Sequence, residues 1–197
     1  MRFEKALLPI IFVALSLAAS AQTTPSAKFG LEPGQVAPVE VGLGYAYFHA
    51  NAPPSGCGCF SLNGGVGRIA INATHGISFV VDLTGVHASQ VNGTAQHITI
   101  FDYLVGPRYS YRSRSRYTPY VQGLLGGSTE DTNTVNLQNT SAFAVSGGVG
   151  VNTLLSRRWA WNIIEVDYVY SRLPNGVNSY QSDFRASSSL LFRFGPR

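Results

Sequence analysis

Few residues in this chain are placed by type and spacing to do chemistry. The two cysteines stand in Cys57-Gly58-Cys59, just after Pro53-Pro54-Ser55-Gly56. Thiols one residue apart admit an intraloop disulfide, free or intermolecular thiols, or part of a metal site. A metal site needs about four ligands, and in sequence only His49 lies nearby. His87-Ala88-Ser89 sets an imidazole near a hydroxyl, the pair by which a base activates a nucleophile. The remaining histidines, His75 and His97, have no serine within two residues. Glu130-Asp131 offers two carboxylates to a hard cation, whereas calcium takes about six to eight oxygens. The glycine-rich runs 64–67 and 147–150 lack the lysine of a phosphate-binding loop. These residues assemble no catalytic or metal-ligating set, and no cofactor is expected.

The more informative charges are dispersed. Glu40, Arg68, Asp82, Asp102, Arg108, Glu165, Asp167, Arg185 and Arg193 recur on the polar side of segments with period-2 alternation. From Val39 to Tyr47, Val39, Val41, Leu43, Tyr45 and Tyr47 oppose Glu40, Gly42, Gly44 and Ala46. Seven further segments follow the rule, over 65–72, 77–85, 97–111, 120–127, 142–152, 159–170 and 184–194. Val80, Ile100, Leu104, Ile163 and Val169 interrupt it by falling on the polar side. Connections are short after the second, fourth and sixth segments and longer after the others. Composition agrees: Gly 21, Tyr 10 and Phe 11 stand against two lysines, and 12% charged residues is about half the usual fraction. The net charge of +4 does not imply a nucleic-acid partner.

The first 21 residues read as a signal peptide. Arg2 and Lys5 precede an apolar run from Ala6 to Ala18, and Ala19-Ser20-Ala21 fits a small-residue cleavage site, with cleavage near Ala21. Residues 22–38, rich in Gln, Thr, Pro, Ser and Gly, form a flexible leader. The domain expected after it covers 39–194. No later run of 18 apolar residues can supply a transmembrane helix, so an exported chain of this kind is a soluble β-protein or a membrane β-barrel.

The two faces decide between these. Four positive and five negative charges on one face nearly cancel, and inside a narrow barrel they can pair. On lipid, a cation at mid-depth would cost about 2–4 kcal/mol. Aromatic residues gather near both predicted ends: Tyr45, Tyr47, Phe60, Tyr168 and Tyr170 at one, and Tyr109, Tyr111, Tyr117, Tyr120, Trp159, Trp161, Phe192 and Phe194 at the other. Membrane–water interfaces select such belts. The expected fold is an all-β, eight-stranded antiparallel up-and-down transmembrane barrel, its apolar face in outer-membrane lipid and its longer loops outside. Arg112, Arg114 and Arg116 form a basic turn at the other end, suited to anionic headgroups or to simple solvation.

With these residues, Tyr103-Leu104-Val105-Gly106-Pro107-Arg108-Tyr109 and Leu191-Phe192-Arg193-Phe194, the chain resembles the small outer-membrane β-barrel family, similar to the transmembrane domain of outer-membrane protein A. The resemblance covers about Val39 to Phe194. It implies that Phe194 is the late aromatic recognised by the barrel-assembly machinery. None of these motifs is specific for an activity, and the expected role is that of a non-enzymatic integral protein of the cell outer membrane, structural or interacting through its external loops. Alternatives are a lipid-modifying enzyme using His87 and Ser89, a small channel, and a soluble periplasmic lipocalin-like binding protein.

Overall fold

A computed structural model describes residues 37–52, 58–73, 76–89, 97–112, 115–132, 140–173 and 179–195. The signal peptide with its cleavage near Ala21, most of the leader, Cys57, His75 and Arg114 lie outside the described residues. Of Cys59, only its place in a strand is described, so the disulfide expectation also lies outside them.

Eight strands follow one another: β1 Val39–Ala52, β2 Gly58–Asn72, β3 Ile77–Ala88, β4 Ile98–Ser110, β5 Tyr117–Thr132, β6 Thr140–Leu154, β7 Trp159–Ser171 and β8 Gln181–Phe194. Each pairs antiparallel with the next, and β8 pairs back onto β1 to close the barrel. Closure leaves no sheet edge, so backbone donors and acceptors are satisfied within the ladder. The expected all-β, eight-stranded antiparallel architecture is the observed one. The strands reach further than the alternation alone predicts, chiefly towards the longer connections. That is the loop end; the turns 73–76, 111–116 and 155–158 mark the turn end.

Local chemistry explains the departures from regularity. Gly76 closes the β2–β3 turn at a φ of 85°, a left-handed backbone that favours glycine. Its carbonyl accepts the Ser110 N–H at 2.8 Å. In β7, Trp159 and Trp161 face outward while Glu165 and Asp167 face inward, which strict alternation forbids. A bulge between Asn162 and Glu165 inserts one extra residue and reverses the parity. Ile163 sits in that bulge, which accounts for its apparent place on the polar side.

The outer surface is apolar at mid-height. Leu43 is 71% exposed and Val149 60%, with Phe79, Val121, Leu125, Ile164 and Leu190 also exposed. At that height the charged residues lie inside, so the burial order of a soluble globule is reversed.

Candidate functional site

The lumen at mid-height is held by side chains whose partners are set first by register. Arg68 lies opposite Asp82 in the β2–β3 ladder, and Asp167 opposite Arg185 in the β7–β8 ladder. Cross-strand neighbours on one face are within reach of long side chains. Arg68 donates from Nε and Nη2 to Asp82 Oδ2 at 2.9 and 2.8 Å. Arg185 donates from Nε to Asp167 Oδ2 at 3.0 Å. Arg108, opposite Gln122 in the β4–β5 ladder, donates to Gln122 Oε1 at 3.0 and 2.7 Å.

Closure then joins these pairs across the lumen. Arg68 Nη2 reaches Glu165 Oε1 at 2.5 Å, and Arg185 Nη1 reaches Asp82 Oδ1 at 2.6 Å and Thr84 Oγ1 at 2.8 Å. Gln122 Nε2 donates to Asp167 Oδ1 at 2.9 Å. Tyr120 donates its hydroxyl to Glu165 and lies beneath the Arg108 guanidinium, 4.1 Å from ring centroid to carbon. Three guanidiniums thus meet three carboxylates with further hydrogen bonds. That balance makes burial of the charges tolerable. Arg185, Asp82 and Glu165 are each 0% exposed, so bulk water does not touch these three side chains. Gly148, opposite Asp167 in the β6–β7 ladder, leaves the space its carboxylate occupies: a Cβ there would strike Oδ1.

Towards the loop end the pattern inverts. Ala46, Phe48, Ala50, Leu62, Val66, Val86, Ala88, Ile100 and Val169 form an apolar cluster inside the barrel, with Phe60 and Ile98 packed against it. The outer face at that height carries polar residues that pair across strands. Tyr45 donates to Asn63, the Tyr47 and Ser61 hydroxyls lie 2.6 Å apart, and His87 Nδ1 lies 2.9 Å from Thr99 Oγ1. Asp131 and Ser141 are exposed there as well. Along β1–β4 this part of the barrel has apolar residues inside and polar groups outside, whereas β5 and β8 turn Glu130, Thr132, Gln181 and Asp183 inward at the same height.

No protein-family model matches the sequence, and no curated relative matches it. Solved structures do. Neisserial surface protein A superposes with a TM-score of 0.60 at 14% identity, over 79% of this chain and 97% of that one. Ail, the attachment invasion locus protein of Yersinia pestis, gives 0.57 at 13% identity, over 81% of this chain and 100% of that one. OprG from Pseudomonas aeruginosa gives 0.57 at 9% identity, over 85% of this chain and 100% of that one. This is the fold of the small outer-membrane β-barrels.

On this small outer-membrane barrel fold, the sequence-predicted residues take definite places. Arg68, Asp82, Arg108, Glu165, Asp167 and Arg185 join in the network above. Asp102 is buried apart from it, its Oδ1 accepting from Ser128. Glu40 and Arg193 face each other in the β1–β8 ladder that closes the barrel, with Arg193 Nε 3.0 Å from Glu40 Oε1. Phe194 is exposed at the end of β8 and packs edge-on against Phe192, which packs likewise on Trp159.

Three expectations are corrected. Tyr120 does not join the outer aromatic belt, because it shares its parity with Gln122 and points inward. Phe60 shares its parity with Leu62 and packs against the inner apolar cluster. Glu130 and Asp131 do not form a pair: β5 continues to Thr132, so Glu130 points inward to accept Gln181 Nε2 at 3.0 Å, while Asp131 points outward. The two carboxylates therefore face opposite sides and cannot close on one cation. His87 and Ser89 are both exposed, and the imidazole is engaged by Thr99. Val80 and Leu104, which broke the alternation, form a second inner cluster with Ala70, Leu124 and Ala144. Phe48 and Leu62 were not singled out beforehand, although their parity with Ala46 and Arg68 marks them as inward.

Proposed function

We propose that this chain is a non-enzymatic integral protein of a Gram-negative outer membrane, acting as a rigid stand for its loop-end connections on the cell surface. One observation carries this reading: the burial pattern changes with height. At mid-height, apolar residues face outward around a charged interior, which suits contact with lipid. At the loop end, polar residues such as Ser61, Asn63, His87, Thr99, Asp131 and Ser141 face outward, which suits water, around an interior that is apolar along β1–β4. A barrel with this division stands in a bilayer with one end projecting. Both chain ends of the barrel then lie on the periplasmic side with the short turns, consistent with export by the N-terminal signal and delivery by the assembly machinery through Phe194.

The filled mid-level lumen favours a structural or contact role over a channel. The inward charges and outward apolar band disfavour a lipocalin-like carrier, which needs the opposite order at mid-height. The engagement of His87 by Thr99 favours a strand pair over a Ser–His catalytic arrangement. Surface contact is also in keeping with the names of neighbours of the same fold, a surface protein and an attachment invasion locus protein. The surrounding partner is outer-membrane lipid, and no cofactor or nucleic acid enters this role.

Orientation is testable in cells. An epitope inserted within 90–96, between β3 and β4, is expected to bind antibody on intact cells. The same epitope within 155–158, between β6 and β7, is expected to bind only after permeabilisation. Labelling of both on intact cells, or of neither, would contradict the proposed arrangement.

A further inference from the structure

The turn end of the lumen opens into a cavity of about 550 Å³ whose lining is strongly one-signed. Arg108, Arg112, Arg116, Arg157 and Arg193 line it, with Glu40 as the only acidic residue among them. The contrast with the layer above is informative. There, guanidiniums and carboxylates balance; here, five cations face one anion. Arg193 is paired with Glu40, and Arg108 reaches up to Gln122 and Glu165. Arg112, Arg116 and Arg157 have no carboxylate within ion-pair distance among the described residues.

Arg112 is more than a solvated turn residue. Its Nη2 donates to Asn72 Oδ1 at 2.9 Å, which fixes the guanidinium over the mouth, and its Nε is buried without a hydrogen-bond partner among the described residues. Asn72 is itself held, donating from Nδ2 to Ala37 O at 2.7 Å and accepting from Ser78 Oγ at 2.5 Å. Burial lowers the Arg112 pKa from its ordinary value; Glu40 acts against that shift, and Arg193 adds to it. A held cation with a buried unused donor, beside other cations, is an arrangement that an anion would complete. Ser78, Ser110 and Thr118 add neutral hydroxyls to the same wall. Guanidinium forks match the oxygen geometry of phosphate and carboxylate alike. The surplus of positive charge in one small cavity favours the group that brings most charge per volume, which is phosphoryl. The cavity also falls in the size range of small-molecule sites.

We infer that the turn-end mouth is a binding site for a phosphoryl-bearing anion, held by Arg112, Arg116 and Arg157 below Arg108. The phosphoryl group can arrive on a soluble molecule or on a lipid headgroup at the bilayer surface.

The test uses the whole mature barrel folded in dodecyl maltoside micelles, which carry no phosphate, titrated calorimetrically with inorganic pyrophosphate at 0.15 M salt. Saturable one-to-one binding is expected. The triple variant Arg112→Gln, Arg116→Gln, Arg157→Gln is expected to bind on the order of a hundredfold more weakly, since each change removes a charged hydrogen-bonding group. Heat-dependent gel mobility verifies that the variant is folded. Short-chain phosphatidylglycerol added to the micelles separates the sources. Competition with pyrophosphate supports the site and assigns it to headgroups; lack of competition supports it as a site for soluble phosphates. Absence of saturable pyrophosphate binding, or equal binding by the folded triple variant, would overturn the inference.

Discussion

Replacing Arg185 with alanine is expected to lower the unfolding free energy of the barrel by about 3–5 kcal/mol, the cost of removing one partner from a buried ion pair. The guanidinium is 0% exposed and touches three carboxylates: Asp82 at 2.6 Å, Asp167 at 3.0 Å and Glu165 at 3.6 Å. Removal strands negative charges where water does not reach them. Arg68 remains on Asp82 and Glu165, but Asp167 keeps only the Gln122 amide among the partners described above. Urea titration of protein folded into phosphatidylcholine vesicles measures the loss. Adding Asp167→Asn to the Arg185→Ala chain is expected to restore part of the stability, because the stranded charge is then neutral. Rescue of this kind would not follow if Arg185 acted only by filling space. Glu40→Gln, at the better hydrated closing pair where the two side chains are 8% and 14% exposed, is expected to cost less. A loss below about 1 kcal/mol for Arg185→Ala, the range of a solvated surface pair, would mean that the lumen is wet.

The second large effect tests the outer face. Val149 is 60% exposed near the middle of β6, between Val121 of β5 and Val166 of β7. In water, an exposed valine exchanged for arginine changes stability by roughly 0.5 kcal/mol or less in either direction. In a bilayer, an outward arginine near mid-depth costs about 2–4 kcal/mol. Val149→Arg in the same vesicle titration is therefore expected to fall in the larger range. Ser141→Arg, on the outward face of the same strand but at the polar loop end, is expected to be near neutral. Equal small effects at both positions would remove the argument for an apolar band in lipid.

These two experiments address what alternation could and could not reveal. Strand number and the inward or outward sense of each residue are legible because a strand has a period of two and a barrel has only two faces. Tyr120 and Phe60 illustrate the strength of parity: reading them by proximity to a strand end placed them outside, whereas their parity with Gln122 and Leu62 placed them inside. The strand ends at the loop side were less legible. Beyond the lipid-facing band, β1–β4 carry polar residues outside and apolar ones inside, so the amphipathic signal reverses there and resembles a loop. Ile100 and Val169, apparent exceptions to alternation, are the trace of that reversal. Pairing partners were not legible at all. That Arg68 meets Asp82 across one ladder and Glu165 across the lumen depends on register and closure, which alternation leaves undetermined. The turn-end mouth was visible only in part. Arg112 and Arg116 stand out as a basic turn, but Arg157 is brought beside Arg116 by the β5–β6 pairing and Arg193 is brought to Glu40 only when β8 meets β1.

The central claim is a closed barrel with charges sealed inside and apolar residues turned to lipid. It is tested most directly on the expressed protein in isolated outer membranes, by carbonate extraction and by gel mobility in detergent with and without boiling. The account predicts that the protein stays with the membrane after carbonate and changes mobility on boiling, because a closed ladder resists detergent until heated. Release into the carbonate supernatant with unchanged mobility would contradict it and return the chain to the soluble β-proteins.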